Sequence, residues 1–225
     1  MNSVLRSSYK TMVLSTFATL PFGLLKLLKL GKIMGRPFSY FTATNVITPA
    51  LGAHIPAREL LGVTGLRTAL YLITGNTLSF FKFLYHMPSL TGALYFRTML
   101  DGQAAYQHRL MHAAVPLICM ALFISNPVGG QAWVYSLYWI IPVVLAIMPR
   151  TNVFLSALGS TFTTHAVGSV LFLFCTPMTA SFWLALMPVV LFERLLFASG
   201  ITGAYYAIGY GKYLFKLLSV RLAHA

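Results

Sequence analysis

From residue 110 to residue 192 only one side chain, Arg150, carries a formal charge, and it splits the stretch into two apolar blocks. Each block holds about forty residues, and about 20 helical residues cross a hydrocarbon core of about 30 Å. Asn126-Pro127-Val128-Gly129-Gly130 interrupts the first block, and Cys175-Thr176-Pro177-Met178 interrupts the second. The pattern predicts four successive membrane-spanning helices, near residues 110–126, 129–148, 152–175 and 179–198.

Upstream the pattern is less regular. Residues 38–57 (FSYFTATNVITPALGAHIPA) predict one span. Arg67 and Lys82 then bracket 14 uncharged residues, too few for a regular crossing, and Pro56, Pro88, Gly62, Gly65, Gly75 and Gly92 punctuate the region. Residues 62–96 therefore read as one crossing made of a broken or tilted helix, with a re-entrant piece near His86-Met87-Pro88. Such backbone is tolerated at membrane depth only where protein or a water-filled cavity covers it. The apolar run 12–25 is too short to span, and Lys26, Lys29 and Lys32 follow it at helical spacing. Residues 9–30 read as an interfacial amphipathic helix, and 205–218 as another. The expected architecture is an all-α polytopic bundle of about six transmembrane helices. A basic amphipathic segment (1–36) precedes the bundle (37–200), and a basic amphipathic tail (201–225) follows it.

Composition sharpens this picture. Charged residues make up 8% of the chain, against about 25% in soluble domains. Sixteen Lys and Arg face three acids, Glu59, Asp101 and Glu193. The cations are scattered along membrane edges instead of forming one patch with interleaved readout residues, so nucleic acid is not an expected partner. Lys and Arg collect in cytoplasmic loops. The 126–131 and 176–180 turns have none, whereas Arg97, Arg109, Arg150, Lys212, Lys216 and Arg221 mark the alternate loops and the tail. Both termini are therefore expected in the cytoplasm, with anionic membrane lipids as the acidic partner. Cys119 and Cys175 lack ligand spacing and read as packing residues.

Polar groups inside spans are the candidate chemistry, because burying them in lipid is costly unless they face the bundle interior. His165 lies mid-span, with Thr161 one turn before it and Gly168 and Ser169 one turn after, on one face. The functional reading is a substrate or proton contact; the alternative is an interhelical hydrogen bond. Tyr135, Tyr138, Trp139 and Pro142 share a helical face, and Tyr138 and Trp139 suit either an aromatic wall for a planar ligand or packing. Trp133 reads as interfacial belt. Asn45 and His54 could reach a ligand cavity or cap a broken helix. Glu193 reads as a structural ion-pair member with Arg150, Arg97 or another inner cation, while Arg194 snorkels to the surface. His108 and His112, spaced i, i+4, read as juxtamembrane histidines without a metal. Gly203, Ala207 and Gly211 form a small-residue stripe suited to another helix.

Enzyme signatures are absent from the sequence: there is no Gly-rich phosphate loop, GxSxG or carboxylate pair, and Ser160 does not face His165. The chain is not expected to be an enzyme or to carry a cofactor. A bis-histidine haem protein would need His112 and His165, which the charge map places at different depths.

The interrupted segment 45–65 (NVITPALGAHIPARELLGVTG) and the faces carrying Tyr135, Tyr138, Trp139 and His165, within about six spans, support a resemblance. The chain resembles the substrate-binding S components of energy-coupling-factor vitamin transporters. That resemblance implies a lid after the first span over a pocket in the outer half of the last three helices. It also implies a transmembrane coupling subunit and two ATPases as partners. Asn2 stands where nickel and cobalt members carry histidine, which implies a substrate other than a metal. The expected function is capture of a small vitamin-like or heterocyclic nutrient at the cell membrane, the inner one if the cell is bacterial. The alternative is a nonenzymatic membrane assembly or scaffold protein.

Overall fold

The computed structural model describes residues 29–32, 40–42, 44–73, 86–101, 106–148 and 152–223. Helix dominates. The exception is a two-stranded antiparallel ribbon, β1 (Lys29–Lys32) and β2 (Tyr40–Thr42), with Lys32 opposite Tyr40. The interfacial helix expected over 9–30 lies outside the described residues except at its last two positions, which begin β1.

The helices follow as α1 (Thr44–His54), α2 (Ala57–Ile73), α3 (Met87–Leu100), α4 (Tyr106–Ser125) and the short α5 (Pro127–Gln131). A 3-10 stretch, Trp133–Trp139, leads into α6 (Ile140–Ile147), then α7 (Val153–Cys175) and α8 (Ala180–Ala223). Three helices among the described residues are long and apolar enough to cross a membrane: His108–Ser125, Val153–Cys175 and Ala180–Leu218.

Two elements depart from the expected spans. In place of a continuous helix over 38–57 stand β2 and the 11-residue α1, about 16 Å long and roughly half a hydrocarbon core. The segment 129–148 is no regular α-helix either. Asn126 caps α5 by accepting from the Val128 and Gly129 amides, and the aromatic-rich seven residues that follow wind as a 3-10 helix before the eight of α6. At about 2.0 Å rise per 3-10 residue and 1.5 Å per α residue, Trp133–Ile147 has a contour of about 26 Å. An α-helix of that length would reach about 22 Å. Nor does a break separate 179–198 from 205–218: α8 runs 44 residues, about 66 Å, through both.

α7 is the axis of the bundle and packs against α3, α4, α6 and α8, while α1 lies between α3 and α8. Its sequence explains how one helix meets so many. Ser156, Ala157, Gly159, Ser160, Thr161 and Thr163 are buried, small, and distributed around the helix. Small residues let backbones approach closely where lipid removes the hydrophobic advantage of burial. A methyl group on Gly159 would lie 2.5 Å from the Tyr95 ring, and one on Gly92 would collide with the Thr164 hydroxyl. Hydrogen bonds pin the same contacts: Ser160 Oγ donates to the Gly92 carbonyl at 2.7 Å, and the Tyr95 hydroxyl donates to the Pro142 carbonyl at 2.7 Å. Beside this seam an aromatic cluster fills the space between α4, the 3-10 stretch and α8. Phe123 meets Tyr135, Trp139 and Trp183 at centroid distances of 5.2–5.6 Å. Such ring pairs contribute about 0.5–1.5 kcal/mol each beyond buried area.

Candidate binding cavity

A cavity of about 270 Å³ opens between α7 and α8, with the starts of α1 and α3 and one residue of the 3-10 stretch completing its wall. Its size is near the lower end of small-molecule sites, roughly 300–1,000 Å³. Two of its walls are unusual for a membrane bundle because they are helix beginnings. Pro88 lies 3.9 Å from where a Cβ on Gly168 would stand, seven residues before the end of α7. α3 therefore begins about 10 Å short of that end, beside the cavity that Pro88 and Ser89 line. Met87 starts α3, and the path leading to the expected re-entrant piece, residues 74–85, lies outside the described residues. At α1, Pro49 has no N–H to offer the Asn45 carbonyl, and both residues line the cavity.

The polar centre lies on α7 and the 3-10 stretch. The Tyr135 hydroxyl and His165 Nε2 are joined by a 2.8 Å hydrogen bond, and Ser169 Oγ lies 3.5 Å from both. No partner for His165 Nδ1 is present among the described residues. One turn deeper, Thr161 Oγ1 donates to the Leu158 carbonyl at 2.8 Å and approaches the Arg194 carbonyl at 3.5 Å. Arg194 and Glu193 form an ion pair at 3.4 Å, and both line the cavity. The Arg194 guanidinium sits over the Phe197 ring, 4.9 Å from its centroid. Toward the 176–179 turn the lining becomes apolar and aromatic, through Phe172, Phe182, Trp183 and Leu186.

Of the eight residues singled out from sequence, the cavity brings together His165, Thr161, Ser169, Tyr135 and Asn45. The other three stand elsewhere. In an α-helix Tyr135 and Trp139 would share a face, but at three residues per turn they diverge by about 120°. Trp139 is accordingly fully buried in the aromatic cluster, away from the cavity. Tyr138 eclipses Tyr135 one turn along, yet its hydroxyl donates to the Met187 carbonyl at 3.1 Å and its ring stacks on Phe162. His54 joins α1 to α8: its Nε2 bonds the Tyr205 carbonyl at 2.9 Å and its ring stacks on Tyr205 at 4.7 Å.

The charged residues depart further from expectation. Arg194 is 4% exposed and does not snorkel. Glu193 does form a structural ion pair, as expected, with Arg194 as the cation; the Arg97 guanidinium bonds the Gly52 and Ile55 carbonyls instead. Arg150 lies outside the described residues. Sequence reasoning placed Arg194 at the surface and passed over Trp183; the usable signal was an ionisable pair inside an apolar span. Among the described residues no group of three or more His, Cys, Asp or Glu side chains is placed to hold a metal. His112 sits at the Tyr95 ring edge, 6.4 Å between centroids, apart from the His165 cluster.

The fold and cavity define a helical protein with helices of membrane-spanning length around a partly polar interior pocket. No protein-family model, curated protein or solved structure matches the chain.

Proposed function

We propose that this chain is an integral membrane transporter subunit that captures a small vitamin-like or heterocyclic nutrient in the cavity between α7 and α8. The observation that carries the reading is the Glu193–Arg194 pair and His165 lining a cavity within helices of spanning length. Ionisable groups at such depth mark substrate or ion pathways. Aromatic walls beside them suit a planar ligand. This reading keeps six crossings with both termini cytoplasmic, the first made by the whole stretch 38–57 and not by the half-length α1 alone, the second by 62–96. The neutral 176–179 turn then faces outward and admits the nutrient from outside the cell. The chain has no phosphate-binding loop, so uptake draws on partner subunits: a transmembrane coupling protein and ATPases. Membrane lipids surround the bundle.

One observation favours a second reading, a nonenzymatic assembly or scaffold protein. The Tyr135–His165 bond joins two elements 30 residues apart, as interhelical glue does. His165→Ala separates the two. In a transporter subunit it weakens ligand binding by about 1–3 kcal/mol, roughly tenfold or more, while the protein still folds. In a scaffold it lowers thermal stability in detergent and leaves the affinity of the folded fraction unchanged. Co-purification of an ATPase with the tagged chain supports the transporter. Reporter fusions at Val128 and Met178 should read outside and those at Arg150 and Ala225 inside; an outside signal at Ala225 rejects the topology.

A further inference from the structure

The cavity is a slot whose length is its most informative dimension; this step rests on the reading of the cavity as a ligand site. On α8 its lining follows one helical face through Phe182, Leu186, Val189, Glu193, Phe197 and Ile201. From Phe182 to Ile201 is about 28 Å of helix, nearly the full depth of a hydrocarbon core of about 30 Å. A capture site needs one cluster of polar contacts, and this slot has a ladder of them. Ser169, His165 and Thr161 line it at one-turn intervals over about 12 Å of α7. Thr161 Oγ1 approaches the Arg194 carbonyl at 3.5 Å, which sets it level with the Glu193–Arg194 pair on α8. Asn45 comes next, where its neighbour Val46 lies against Gly200, about 9 Å past Arg194. A polar solute crossing lipid needs its hydration replaced at each step, by contacts that are repeated and individually weak. The two ends of the slot differ. Toward the 176–179 turn, Phe172, Met178, Phe182 and Leu186 are half-buried. At the other end Phe197 is 7% and Ile201 1% exposed, and Ile201 sits in one cluster with Ala50, Phe96, Ala157 and Ala198. The slot is thus least covered toward the 176–179 turn and closed by an apolar plug at its far end.

We propose that the slot is the route along which the ligand crosses the membrane, with Phe197 and Ile201 as its inner gate, so that this chain carries the translocation path as well as the capture site. The Arg194 guanidinium lies over the Phe197 ring, 4.9 Å from its centroid, so a ligand that disturbs the ion pair also disturbs the plug. Partner subunits then act by opening the plug.

Thiol accessibility tests the route without a known ligand. Single cysteines are placed in the full chain with Cys119 and Cys175 replaced by Ala, and the membrane-impermeant sulfonatoethyl methanethiosulfonate is applied from the 176–179 side. Gly168→Cys, whose side chain has ordinary contact space beside Pro88, should react. Leu196→Cys, 55% exposed on the outer face of α8, should not, because lipid excludes the reagent. Asn45→Cys should react slowly until the plug is trimmed. Ile201→Ala is expected to speed it about tenfold or more and Ile201→Val about fourfold, in step with the carbons removed, while Gly168→Cys keeps its rate. Ile201→Val removes one methylene and decides the matter where Ile201→Ala does not fold. Equal rates at Asn45→Cys with Ile, Val and Ala at position 201 overturn the route and leave ligand capture standing. An unreactive Gly168→Cys means that no aqueous slot exists and removes both.

Discussion

α7 and α8 are both long and apolar enough to cross a membrane, yet they are buried to different degrees. Over the most apolar 18 residues of each, α8 has the higher mean hydropathy, 1.8 against 1.4, yet 28% of those residues are buried against 44% on α7. Apolarity does not order the two because lipid solvates a leucine as well as a protein core does. Small residues do. On α7 a methyl at Gly159 would run into the Tyr95 ring, whereas on α8 methyls at Gly203 and Gly211 would meet nothing within 4 Å. The stripe of Gly203, Ala207 and Gly211 has the composition of a helix-packing face, but no described element packs on it. Residues 210–218 are exposed on every side. Small residues permit close approach; a partner with a complementary profile, such as Tyr95 over Gly159, turns permission into contact.

The comparison breaks most visibly at the buried charge of α8. Arg194→Leu leaves Glu193 uncompensated and is expected to lower stability by about 3–5 kcal/mol. Glu193→Leu combined with Arg194→Leu should recover most of that loss, because the remaining groups are apolar and uncharged. Chemical unfolding in detergent measures both, and equal losses in the single and double variants would show that packing dominates at this site. A smaller effect is expected from Gly159→Leu, about 1–3 kcal/mol from overpacking against Tyr95, or a drop of roughly 2–12 °C in melting temperature. Gly203→Leu should stay within about 0.5 kcal/mol, and a comparable loss there would reveal a contact on the stripe. Tyr135→Phe removes the hydroxyl from His165 and should cost about 1 kcal/mol. A loss well above that would make the Tyr135–His165–Ser169 cluster a structural network first.

Much of the chain's organisation was readable along the sequence. The apolar blocks around Arg150 and their Pro- and Gly-bearing turns lie close to the observed limits of α4, α7 and the start of α8. The face shared by Thr161, His165 and Ser169 follows directly from helical period, and those residues do meet at one cavity. Failures came where period or depth departs from the ordinary. Tyr138 and Trp139 were placed on an α-helical face that the 3-10 winding takes apart. His54 looked like a ligand contact because its bond to the Tyr205 carbonyl joins positions 151 residues apart. Arg194 looked like a surface residue because its distance from the span's end suggested snorkelling, while its neighbours on α7 were out of view.

What the sequence determined by itself is which segments prefer lipid or close packing and where the chain must turn, since these follow from length, apolarity and the local chemistry of Pro, Gly and Asn. Tertiary structure alone decided how deep α1 and α3 begin, which side of α8 meets α7, and that a charged pair and two helix starts share one cavity. Those outcomes depend on register between helices. Register is set by close approach at Gly92 and Gly159 and by hydrogen bonds such as Ser160 to Gly92 across 68 positions, contacts that no local pattern encodes.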